Sequence, residues 1–147
     1  MPKAKIVGSC SLAILIALYV VGAVSTTPGS LRHEVQTLPL WFPIVAGFQK
    51  KDWAKWSAMP CMIFWLVIMS LIWSFLLGWA SPVSGTFNPT EIAMTLVVGA
   101  ASLAGIVVCL RWRTATRPIA AVGVFLLFAV LQVAAMAISL TPYIARR

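Results

Sequence analysis

Hydrophobic positions run together in four long blocks, residues 6–24, 60–79, 92–110 and 119–140. About 20 apolar residues carry a helix across the hydrocarbon core of a bilayer, so each block is read as one transmembrane helix. The second lies inside a stretch without Asp, Glu, Lys or Arg that runs from Trp56 to Thr90. The borders carry ordinary helix signals. Asn88-Pro89-Thr90-Glu91 reads as an N-cap, a proline at the first helical position and an acid at the third. Arg111 and Arg113 close the third block, where cations suit the helix dipole. Thr116 is placed to cap the fourth helix, and Thr141-Pro142 closes it.

Residues 25–59 break the pattern. Leu31-Arg32-His33-Glu34-Val35-Gln36-Thr37 is polar, and Leu38 to Phe48 is apolar but contains Pro39 and Pro43. Two prolines four apart argue against a regular helix, so 25–59 is expected to be a long basic loop, interfacial or re-entrant, with Trp41 and Phe42 in an apolar wedge. A re-entrant loop needs its backbone satisfied by surrounding protein. Gln49-Lys50-Lys51-Asp52-Trp53-Ala54-Lys55-Trp56 reads as an amphipathic turn on the membrane surface, one side aromatic and one cationic. The expected fold is therefore an all-α integral membrane protein, a single membrane domain over 1–147, with four transmembrane helices. An alternative has 35–48 cross the membrane as well.

Composition agrees with the class. Hydrophobic residues make up 61% and charged residues 10%, against about 45–50% and about 25% in soluble domains, and the mean hydropathy is +0.98. This excludes a soluble domain, a disordered chain, a collagen and a disulfide scaffold. Lys3 and Lys5 before the first block, with Ala23-Val24-Ser25 after it, are similar to a signal peptide. The block is longer than the usual core of about 7–15 residues, and it is read as an uncleaved helix.

Net charge is +8. Orientation follows Lys/Arg bias. Four spans place Arg32, Lys50, Lys51, Lys55, Arg111, Arg113 and Arg117 on one side, and Lys3, Lys5, Arg146 and Arg147 on the other. The basic loops are then cytoplasmic and both termini outside. A fifth crossing changes the split to eight against three and puts the N-terminus inside. Either way the 80–90 loop is outside and the 111–118 loop cytoplasmic, in a bacterial inner or intracytoplasmic membrane.

Candidate chemistry is sparse. The acids are Glu34, Asp52 and Glu91, and His33 is the single histidine. His33 is a candidate ligand for a pigment or haem, or a proton carrier. Cys10, Cys61 and Cys109 have no metal-binding spacing and are read as small apolar residues, so no metal is expected. Trp65 and Trp73 share a helix face, a possible wall for a quinone, pigment or lipid tail. Gln132 is the lone polar residue deep in the fourth block, a partner for another helix or a ligand contact. Gly99, Ser102 and Gly105 recur every three residues and form a smooth helix interface, against a bulky neighbour or another copy. Lys50, Lys51, Lys55, Trp53, Trp56, Arg111, Arg113 and Arg117 are expected at lipid headgroups.

No acid, base or lysine lies within a block, which argues against ion-coupled transport. No P-loop, HExxH, GxSxG or internal repeat is present. The size and span count are similar to the membrane glutathione transferase family. That family's Glu-Arg-x-x-Arg-Ala-x-x-Asn motif has no counterpart in Ser57-Ala58-Met59-Pro60-Cys61-Met62, so no assignment is made. The expected function is a non-catalytic or accessory subunit of a larger energy-transducing or pigment/quinone-associated membrane complex. Its partners are membrane lipids and other subunits or itself, and not nucleic acid. One alternative is a homo-oligomeric channel with Gln132 and the small residues of the last two helices lining a path. Another is an interfacial enzyme using Arg32, His33 and Glu34, with Arg111, Arg113 and Arg117 holding an anionic headgroup.

Overall fold

Prolines, an asparagine and a glycine set the helix limits. The computed structural model describes residues 2–25, 30–80 and 86–142. Residues 26–29, residues 81–85 of the 80–90 loop, and Arg146 and Arg147 lie outside them. The described residues form five helices: α1 (Pro2–Val24), α2 (Ser30–Phe48), α3 (Trp53–Leu76), α4 (Pro89–Arg111) and α5 (Pro118–Ser139). All except α2 are long and apolar enough to cross a membrane.

α4 starts as the sequence implies. Asn88 Oδ1 accepts from the Glu91 amide at 2.8 Å, and Glu91 Oε2 accepts from the Asn88 amide at 2.8 Å. This reciprocal pair satisfies two otherwise orphaned donors. α5 departs from expectation: Arg117 is its N-cap, without a side-chain bond, and Thr116 does not cap it. α3 stops three residues short of the expected Trp79. Gly78 takes φ +71°, its amide bonds the Phe75 carbonyl, and the Trp79 amide reaches back to the Ser74 carbonyl. That double closure needs a left-handed residue just past the helix, which glycine supplies without strain.

Two larger corrections concern 25–59. First, Trp53-Ala54-Lys55-Trp56 is not a separate surface turn but the first turn of α3, continuous through Pro60. Pro60 is the eighth residue of α3, past the first four N–H groups that have no helical partner, so it leaves the Trp56 carbonyl without its usual donor, and its ring is buried in the bundle. Second, residues 30–48 are one helix despite Pro39 and Pro43. Each proline deletes one N–H, leaving the carbonyls of Val35 and Pro39 without their usual donors. Both rings are buried against the bundle, and neighbouring helices compensate such losses inside an apolar medium. The α2 interior face packs on α1, α3 and α5. Its outer face exposes Leu38, Trp41, Phe42, Val45 and Phe48, the spacing of a single apolar side. Tertiary packing thus outweighs the local cost of the prolines, and the expected wedge is a helix.

The five helices alternate in direction. Gly8 near the start of α1 touches Gly47 at the end of α2, and Gly22 near the end of α1 touches His33 at the start of α2. Lys3 donates to the Arg111 carbonyl and Asn88 to the Val24 carbonyl, so α4 also runs against α1. Gln36 reaches Ser139, which sets α5 against α2. α3 touches all four other helices, α5 touches only α2 and α3, and α4 and α5 do not meet. The start of α1 and the end of α5 therefore lie at opposite ends of the bundle. That differs from the four-span expectation, which keeps both termini on one side.

Candidate functional site

One end of the bundle collects the cations. It holds Lys3, Lys5, Lys50, Lys51, Lys55, Arg111, Arg113 and Arg117, whereas Arg32 lies at the other end. Two of the lysines have structural work. Lys55 is 9% exposed, and its Nζ donates to the Trp112 carbonyl at 2.6 Å while sitting 4.5 Å from the centre of the Trp56 ring. Lys3 Nζ donates to the Arg111 carbonyl at 2.7 Å. Both satisfy orphaned carbonyls at the end of α4 with a charge that suits its dipole. Lys55 is thus not a free headgroup contact. Asp52 Oδ2 accepts from the Ala115 amide at 3.0 Å, and Trp56 Nε1 donates to Thr114 Oγ1 at 3.2 Å. The start of α3 thereby holds the 112–117 linker. Lys50, Lys51, Trp53, Arg111, Arg113 and Arg117 remain exposed, a basic collar with one outward indole.

The smooth face of α4 points inward. A β-carbon on Gly99 would collide with the Trp73 ring, and one on Gly105 with the Met62 sulfur. Ser102, between them, is fully buried. This face is covered by α3 and is not exposed to a second copy. Trp73 Nε1 also donates to Thr95 Oγ1 at 3.1 Å. Trp65 is buried in the core, edge-on to Phe64 at 5.7 Å between ring centres. The two tryptophans proposed as a ligand wall are therefore packed among helices.

A polar seam joins α2 and α5 toward the other end. Gln36 Nε2 donates to Ser139 Oγ at 2.9 Å and approaches Met136 Sδ at 3.4 Å. Gln132, fully buried, donates from Nε2 to the Gln36 carbonyl at 3.1 Å. That carbonyl lies three residues before Pro39, next to the one Pro39 leaves without a donor. Arg32 and His33 sit one turn above. His33 packs against Gly22 and lies within the field of Arg32 and Glu91. Arg32 Nε, His33 Nδ1 and Gln132 Oε1 are buried without a hydrogen-bond partner. Glu34 faces outward.

Beside this seam is an apolar groove of about 370 Å³. Val35, Pro39 and Phe42 form one wall, and Phe128, Leu131 and Ile138 form the other. The Phe42 and Phe128 rings meet at 5.1 Å. The sequence offered Gln132 as the intramembrane polar residue, but not the groove. The groove arises from small residues on α5 facing a proline on a helix that the prolines themselves disguised.

The structure does not assemble the reactive constellation considered from sequence. Arg32, His33 and Glu34 start α2, whereas Arg111, Arg113 and Arg117 follow α4 at the opposite end. Among the described residues no three His, Cys, Asp or Glu side chains come together as metal ligands. Gln132 faces α2, and α4 does not touch α5, so the path sketched between those two helices is not formed within one chain. Compared with known proteins, the chain matches no family model, no curated sequence and no solved structure.

Proposed function

We propose that this chain is a non-catalytic subunit that packs and helps assemble a larger membrane complex. The observation that carries the reading is where the polar side chains are spent. Lys55 on Trp112, Gln36 on Ser139, Gln132 on Gln36, Trp73 on Thr95 and Asn88 with Glu91 all tie one part of this chain to another. Meanwhile α5 contacts only two helices and leaves Ile119, Val122, Val130 and Val133 outward. A helix held on so narrow a side has most of its surface free for lipid or a partner helix. Small outward residues such as Gly123, with nothing within 4 Å of its missing side chain, allow close helix approach.

In this reading the bundle sits in a bacterial inner or intracytoplasmic membrane, with the basic collar on the cytoplasmic side. The test is the mass and composition of the particle extracted from native membranes in a mild detergent. A particle containing other chains is expected, and removing this chain should lower the amount of the intact complex. A particle whose mass is a simple multiple of 15.9 kDa, with no other chain, overturns the proposal.

A further inference from the structure

The groove between α2 and α5 has a charged end. Residues 32, 35, 39 and 42 are three or four apart, so they share one side of α2. Val35, Pro39 and Phe42 line the groove, and Arg32 stands one turn beyond Val35 on the same side. Its Nε is buried and has no acceptor. Glu34, two residues on, projects from another side of the helix and is exposed. Glu91 is taken up by the Asn88 cap. Among the described residues no carboxylate pairs with this guanidinium, which stands at the head of an almost wholly hydrocarbon slot.

From this geometry we infer that the α2–α5 seam binds a phospholipid, with one acyl chain in the groove and its phosphate on Arg32. The slot extends over seven residues of α2, about 10 Å of helix axis, and its volume lies in the range of about 300–1,000 Å³ typical of small-ligand sites. Its volume of about 370 Å³ is less than a partner helix about 10–12 Å across would fill over the same length. A carotene would fill the slot but offer the guanidinium no acceptor, and a quinone would offer it only neutral carbonyls. A phosphate completes it with charge-assisted, bidentate hydrogen bonds. Ala134 and Ala135 on α5 line the slot with small side chains, which leaves its space open.

The test is native mass spectrometry of the full chain in detergent, titrated with phosphatidylglycerol. One molecule is expected to stay bound to the unaltered protein. Arg32→Gln should weaken that binding about tenfold, the loss of one hydrogen-bonded charge partner, and Arg32→Lys should recover part of it. Ala134→Trp, which fills the slot, should weaken it to a similar extent. Arg113→Gln, in the basic collar at the opposite end, should leave it unchanged. Two results overturn the proposal. One is diacylglycerol, which lacks the phosphate, binding as tightly as phosphatidylglycerol. The other is Arg113→Gln weakening binding as much as Arg32→Gln, which places the lipid at the collar. Melting of each variant without added lipid separates lost binding from lost folding.

Discussion

Gly47 and Gly8 bring two helix backbones into contact. A β-carbon on Gly47 would lie 2.7 Å from the Gly8 Cα and 2.8 Å from the Ala4 carbonyl oxygen. Backbone cannot swing aside as a flexible side chain does, so Gly47→Ala must part α1 from α2. Overpacking of this kind costs about 1–3 kcal/mol. Gly123 supplies the contrast: it is helical, exposed, and has open space around it. Gly123→Ala is expected to be neutral or stabilising by up to about 1 kcal/mol, from helix propensity alone. Denaturant unfolding of the two variants in detergent checks both signs. Neither glycine was legible as a contact in the sequence. Gly99, Ser102 and Gly105 announce themselves by their spacing on one helix. Gly8 and Gly47 are isolated, and only the pairing of α1 with α2 brings them together. Lys55 misled for a related reason. A lysine beside tryptophans reads as a headgroup contact, and the carbonyl it serves belongs to a residue 57 positions away.

The helices differ in how far local signals determine them. α4 could be read almost to the residue, because its capping box and proline are local chemistry. α2 could not, because its prolines are a local penalty that only distant packing offsets. The tie between α2 and α5 is measurable. Gln36 Nε2 and Ser139 Oγ are 2.9 Å apart in a buried seam. A double-mutant cycle with Gln36→Leu and Ser139→Ala should give a coupling of about 0.6–1.7 kcal/mol, from the average to the maximum found for hydrogen bonds between membrane helices. Additivity within about 0.3–0.5 kcal/mol would mean that the Gln36–Ser139 bond adds nothing to the hold of α5 on α2. The cycle is preferable to removing Gln132. That side chain also carries a buried oxygen without a partner, and deleting it relieves one cost while adding another.

At the scale of the whole molecule, the number of crossings decides where the charges lie. The apolar blocks could be counted from the sequence. The fifth element was left as an alternative because 35–48 is short and contains prolines, although the lysine and arginine split already favoured it. In the fold, α2 runs beside α1 from His33 at Gly22 to Gly47 at Gly8, most of the length of its neighbour. If α1 crosses the bilayer, α2 crosses with it. Eight of the eleven lysines and arginines then lie on one side, which the positive-inside bias predicts to be the cytoplasmic one. Lys5 and Thr141 mark the two ends, and both are exposed. In intact cells a membrane-impermeant thiol reagent should label Thr141→Cys from outside, and Lys5→Cys only after the membrane is opened. The native cysteines, Cys61 and Cys109 buried and Cys10 half-buried, lie within helices long and apolar enough to cross a membrane and are expected to give little background. Labelling of both positions from the same side would mean an even number of crossings. α2 would then have to leave the membrane, and the antiparallel contact between Gly8 and Gly47 would have to open.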